Sequence, residues 1–157
     1  MAQMDELVVS LKDRAYRLNA AVNAHDLNPI GEMYAEDAEL TWPGLGSIKG
    51  RTAIVGFYAT QLGAFPDLEV NITRVIEQEN VVAVEYVAQG THRGPLPSPT
   101  GELPPTNRWL RVGASSIGTV DEHGLIKTQH EYFDQVEILA QLGLMPSPQP
   151  AVAAEQH

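Results

Sequence analysis

Two carboxylates three residues apart, Glu131 and Asp134, stand in the stretch from Gly124 to Met145, GLIKTQHEYFDQVEILAQLGLM. A carboxylate shuttles protons near neutral pH only when its surroundings raise its pKa, and burial in an apolar cavity does that. Asp134 has another job open to it. With Glu137 three residues on, it has the spacing of a capping box, in which one side chain caps backbone N–H groups and the other reaches back. Glu131 has no cap to make. On a buried face it is an acid/base candidate, and on an exposed face it is a solvated strand residue; the pattern alone leaves both open.

The elements around this pair decide its geometry. Leu125 to Phe133 follows the turn Asp121-Glu122-His123-Gly124 and is rich in β-branched and aromatic residues, which predicts a strand. Alternation places Lys127, Gln129, Glu131 and Phe133 on one side and Ile126, Thr128, His130 and Tyr132 on the other. Asp134 opens a short helix, Gly143 suits its left-handed C′ position, and Pro146 forbids continuation. Upstream, Val8, Leu11, Ala15, Leu18 and Val22 form the stripe of a helix over Asp5 to Ala24. Asn28-Pro29 reads as cap and first residue of a second helix, and Arg51 leads into a third with Ile54, Phe57, Tyr58, Gln61 and Leu62 along one side. Asp37 to Trp42, Leu68 to about Ile76, Val81 to His92 and Asn107 to Val120 read as strands. Five prolines from Gly94 to Pro105 predict an unpaired loop or lid.

Helices first and hairpin-linked strands after predict an α+β fold: a cone-shaped, curved antiparallel sheet wrapped around three N-terminal helices, with a short C-terminal helix. Residues 1–145 read as a single domain, and 146–157 as a disordered tail. The chain has 157 residues, 43% of them apolar, and a formal charge of −10 from 20 acids and 10 scattered bases. Such a surface repels phosphate backbones and anionic membranes, so neither nucleic acid nor a membrane is expected as a partner. No cysteine is present, which removes disulfides, thiol nucleophiles and zinc–thiolate sites. The N-terminus lacks the apolar core of a signal peptide, and no apolar run reaches the ~18 residues of a membrane span, so a cytoplasmic location is expected. The histidines show no paired spacing with carboxylates, so no metal site is expected.

The series NAHDLNPIGEMYAEDAELTWPGLGSIKGRTAIVGFY, then GTHRG, PPTNR and GLIKTQHEYFDQVEILAQLGL, resembles the SnoaL-like polyketide cyclases, from about residue 15 to 145. These share a cone-shaped fold with nuclear transport factor 2, ketosteroid isomerase and limonene-epoxide hydrolase. The resemblance implies a homodimer, a pocket between helices and sheet, and no cofactor. It also implies a last-strand carboxylate acting as acid/base in an intramolecular aldol closure, which falls on Glu131, where the family pattern usually has Asp. Two relatives are disfavoured by missing groups. Ketosteroid isomerase carries an Asp-Pro step where this chain has Trp42-Pro43, and the Arg and Asp of the epoxide hydrolase relay fall on Tyr86 and Ala88.

With the resemblance placing Glu131 in the pocket, parity would line the cavity with Leu40, Trp42, Tyr86, His92, Trp109, Arg111, Ser115, Glu131 and Phe133. Aromatics with a few polar groups suit a flat, apolar, oxygenated ligand. The chemistry expected is proton abstraction by Glu131 beside a carbonyl, with His92 or Arg111 donating to the developing enolate. His92 has a second reading, as a rim residue bonded to the proline loop. Arg111 has one as well, as a structural ion-pair partner that would lower the Glu131 pKa. Two classes therefore stay open: an acid/base enzyme of cyclase, isomerase or lyase type, and a non-catalytic small-molecule-binding protein of the same fold. An epoxide hydrolase-like activity stands behind both.

Overall fold

The structure, a computed structural model, describes residues 10–146. The expected helix start at Asp5 and all but the first residue of the expected tail lie outside the described residues. Helix α1 (Leu11–Asn23) opens at Ser10, whose hydroxyl accepts from the Asp13 N–H at 3.1 Å. Helix α2 (Leu27–Glu32) has Asp26 at its N-cap position, with no side-chain capping bond, so Asn28 and Pro29 lie inside its first turn instead of starting it. The left-handed turn at His25, with φ of 56°, ends the link between the helices early. Strand β1 (Tyr34–Trp42) and the short β2 (Gly46–Lys49) precede helix α3 (Arg51–Ala64). Strands β3 (Glu69–Gln78), β4 (Val81–Thr91), β7 (Trp109–Val120) and β8 (Ile126–Tyr132) complete the sheet.

The sheet order is β2-β1-β8-β7-β4-β3. All neighbours are antiparallel except β1 and β8, which pair in parallel. The first and last long strands thus meet in the middle of the sheet, far apart in sequence. Two apolar clusters fill the concave side. One joins Val22, Ile30, Tyr34, Leu40 and Ile54 from the helices and β1. The other joins Phe65, Leu110, Val112 and Leu142 at the opposite end.

The proline-rich segment is not wholly unpaired. It folds into a two-stranded ribbon, β5 (Leu96–Ser98) against β6 (Gly101–Leu103). Proline is tolerated there because each strand of an isolated ribbon has a free edge that needs no N–H. Gly101, at φ of 118°, supplies the left-handed turn that closes it.

Helix α4 (Gln135–Gln141) begins at Asp134, whose carboxylate accepts from the N–H groups of Val136 and Glu137 at 2.9 and 3.3 Å. The reciprocal half of the expected capping box is absent, since Glu137 instead accepts from the Gln141 side chain at 3.3 Å. The helix closes as expected, with Gly143 at φ of 77° and Leu144 N–H returning to the Leu139 carbonyl at 2.8 Å. The Gln141 amide also lies along the exposed backbone of Arg111. It accepts from that residue's N–H at 2.8 Å and donates to its carbonyl at 2.9 Å.

Candidate active site

Between the helices and the concave face of the sheet lies a cavity of about 370 Å³. Its walls are mostly apolar, with Val22 from α1, Trp42 from β1, Phe57 from α3, Val84 from β4, Val112 from β7 and Phe133 after β8. Trp42 is wedged between two rings, its centroid 4.8 Å from Phe57 and 5.0 Å from Phe133. Volume and lining suit a small, flat, apolar molecule.

Glu131 is buried and lines this cavity. The strand alternation of β8 carries it there with Gln129, while His130 and Tyr132 face outward and are exposed. Tyr86, on β4, donates to Glu131 Oε1 at 2.5 Å, and the Gln129 amide donates to Oε2 at 3.0 Å. Gln129 is held in turn. The fully buried Tyr34 donates to its Oε1 at 2.6 Å, and the Tyr58 hydroxyl lies 2.6 Å from that of Tyr34. Five side chains from β1, α3, β4 and β8 therefore form one chain, Tyr58–Tyr34–Gln129–Glu131–Tyr86.

Burial raises the Glu131 pKa above the ordinary carboxylate value, and the bonds from Tyr86, Gln129 and Ser116 work against that rise. Burial also raises the phenols: Tyr34 and Tyr86 lie well above the ordinary value, and Tyr58 is pushed up to about 12. Within this chain of side chains, Glu131 is the one carboxylic acid, and its shift is upward. A carboxylate in this state has the affinity for a proton that a general base needs, and Tyr86 beside it is a ready donor.

The other expected lining residues divide by the strand they occupy. Trp42, Tyr86 and Phe133 stand on the cavity wall. Leu40 is on the concave side but fully buried in the helix-side cluster, beneath the wall and not on it. Trp109, Arg111 and Ser115 belong to the opposite face of β7, and it is Leu110, Val112, Ala114 and Ser116 that line the cavity. Register explains the correction. Tyr86 pairs with Ala114 and Glu131 with Ser116, and directly paired residues share a face. Arg111 is consequently exposed on the outside of the sheet, and among the described residues Glu131 has no cationic partner.

His92 is buried but off the cavity wall. The Thr106 N–H donates to its Nδ1 at 3.2 Å, so the ring proton sits on Nε2, which has no partner among the described residues. Burial lowers its pKa, and its ring packs 5.4 Å from Phe65. It is bonded to Thr106, just after the proline segment, but it is fully buried and so does not sit at a rim.

Gln129, Tyr34, Tyr58 and Ser116 were not among the expected site residues. Gln129 was visible as the residue two before Glu131 on the same strand face, and Tyr58 as part of the apolar side of α3. Nothing in the local pattern of Tyr34 marks it. Among the described residues no group of histidines and carboxylates is arranged to hold a metal ion, and no helix is long and apolar enough to cross a membrane.

Residues 13–142 match the family model of the SnoaL-like polyketide cyclases. Among solved structures, the chain is similar to AclR, a proposed hydroxylase from Streptomyces galilaeus, with a TM-score of 0.75 and 21% identity over 93% of this chain and 88% of that one. It is similar to a proposed SnoaL-like polyketide cyclase from Jannaschia sp. CCS1, with a TM-score of 0.76 and 19% identity over 87% and 93%. It is also similar to IdmH, a proposed polyketide cyclase from Streptomyces antibioticus, with a TM-score of 0.71 and 27% identity over 85% and 99%. No curated protein sequence matches it. The first two likenesses are likenesses of fold, whereas the family model spans most of the sequence, from the first described helix to the end of α4. By that match, this chain belongs to the SnoaL-like polyketide cyclase family.

Proposed function

We infer that the chain is an acid/base enzyme of the polyketide cyclase type, acting on an apolar, carbonyl-containing small molecule through Glu131. The observation that carries this reading is a carboxylate buried in an apolar cavity with a phenol hydroxyl 2.5 Å from one oxygen. Glu131 takes a proton from the carbon beside a carbonyl. Its Oε1 then ceases to be the acceptor that Tyr86 serves, and the phenol proton turns to the enolate oxygen. The enolate carbon attacks a second carbonyl of the same molecule, and the new alkoxide recovers its proton from Glu131. Tyr86 thus takes the place given to His92 or Arg111 in the sequence reading.

The binding-protein reading expected Glu131 tied to Arg111, or a cavity filled by side chains. The outward Arg111 and the open volume favour the enzyme instead. We also propose a homodimer packed through the outer face of the sheet, where Trp109, Ile117 and Tyr132 are exposed, with sedimentation as its measure.

The test needs no natural substrate. 2-Tetralone, a flat apolar ketone, exchanges its α-hydrogens in D2O, and NMR follows the loss of their signal. Wild type is expected to accelerate exchange, Glu131→Gln to lose about 10²–10⁴-fold of that acceleration, and Arg111→Ala to keep it. Equal exchange by wild type and Glu131→Gln would refute the assignment.

A further inference from the structure

We propose that Tyr58 determines specificity by accepting a hydrogen bond from a hydroxyl of the substrate, so that the cavity selects an apolar hydroxy-carbonyl compound. Only the place of the carbonyl rests on the proton-transfer reading of Glu131. Recognition of the hydroxyl stands on the hydrogen-bond chain alone.

With Glu131 ionised, counting donors and acceptors fixes the direction of every bond in that chain. An ionised carboxylate can only accept. Glu131 Oε2 therefore faces the amide N–H of Gln129, at 3.0 Å. The same amide must then turn Oε1 toward Tyr34, which spends its single proton on that oxygen at 2.6 Å. Tyr34 has no solvent exposure, so the neighbour able to serve its oxygen is Tyr58, 2.6 Å away. That contact uses the one proton Tyr58 has. Tyr58 lines the cavity beside the Gln129 amide, and with its proton spent its hydroxyl can offer a ligand only a lone pair.

A ligand carbonyl at this point meets an acceptor. A ligand hydroxyl meets a partner. Turning the Tyr58 proton outward to serve a carbonyl would strip the buried Tyr34 oxygen of its donor, a loss the completely buried group cannot make good from water. Tyr86 behaves oppositely. Its proton goes to Glu131 while that group is ionised, and is freed once Glu131 takes a proton. The two phenols that end the chain therefore differ during turnover: Tyr58 stays an acceptor, while Tyr86 becomes a donor when an enolate has formed. The substrate these ends fit carries a hydroxyl at one position and the reacting carbonyl at another.

The test compares 6-hydroxy-2-tetralone, which can donate from its ring substituent, with 6-methoxy-2-tetralone, which can only accept. Binding to the full-length protein at pH 8 is read by NMR titration and requires no turnover. Wild type is expected to bind the hydroxy compound about tenfold more tightly. Tyr58→Phe is expected to bring the ratio to about one. Tyr34→Phe, which cannot touch the ligand, should also lower it, by releasing the Tyr58 proton to the cavity. This second variant keeps the test intact should Tyr58→Phe fail to fold. A wild type without preference for the hydroxy compound, one that binds neither, or a Tyr58→Phe protein that keeps the full ratio overturns the proposal. If the preference holds and 2-tetralone exchange is absent, the acid/base reading fails while this one stands.

Discussion

Replacing Glu131 by glutamine removes a buried charge and nearly keeps its shape, and the consequence for stability has a definite pH dependence. Burial raises the Glu131 pKa above its ordinary value of 4.5, so the native protein keeps this proton over a pH window in which the unfolded chain has released it. Within that window the native state binds more protons, and stability falls as pH rises. The stabilising contribution is complete below 4.5 and lost once pH passes the raised native value. Glutamine does not titrate and lacks this slope. Its oxygen can accept from Gln129 as Oε2 does at 3.0 Å, and its amide can donate to the Tyr86 oxygen, which turns the Tyr86 proton toward the cavity. Each pH unit of upward shift corresponds to about 1.4 kcal/mol. For a chain of this size that is about 3–6 °C in Tm. Calorimetric melting from pH 4 to pH 8.5 is expected to show Glu131→Gln more stable than wild type at the alkaline end, with the difference shrinking as pH falls. A difference that is the same at every pH, or a variant that loses ground to wild type as pH rises, would refute the account of Glu131 as a desolvated, unpaired carboxylate.

Two further outcomes bear on the same geometry. Tyr86→Phe removes a bond that stabilises ionised Glu131, so the rising limb of the 2-tetralone exchange profile should move to higher pH and the plateau should fall by about 10²-fold. Asp134→Ala removes the cap of α4 and should cost about 1 kcal/mol, seen as a Tm lower by about 2–4 °C, while the exchange limb stays in place.

Much of this architecture was legible because strand and helix signals agreed from Asp134 onward. The helix cap accounts for Asp134 and leaves Glu131 as the acid/base candidate of that stretch, while the face it occupies came from the resemblance and not from alternation, which left both faces open. The face of β7 was not legible in the same way. Alternation separates Trp109, Arg111 and Ser115 from Leu110, Val112, Ala114 and Ser116, but it does not say which set faces inward. Large aromatics and an arginine look like cavity groups when a ligand is being sought. Here they lie outside, because pairing with Tyr86 and Glu131 fixes the register. The bond from Tyr34 to Gln129 spans 95 positions of the chain, and no local periodicity carries such information. The proline segment misled for a simpler reason, since Pro97 is compatible with a ribbon whose outer edge is free.

The amide of Gln141 has a consequence beyond α4. Strand β8 ends at Tyr132, whose partner is Ser115, so β7 runs on past its neighbour toward Trp109. Bare peptide groups on such an overhang invite a foreign strand to add on. By matching both the donor and the acceptor of Arg111, one glutamine stands in for the missing strand residue and blunts that overhang. The short terminal helix is in this respect a guard against aggregation, fastened to the sheet by a side chain that imitates backbone.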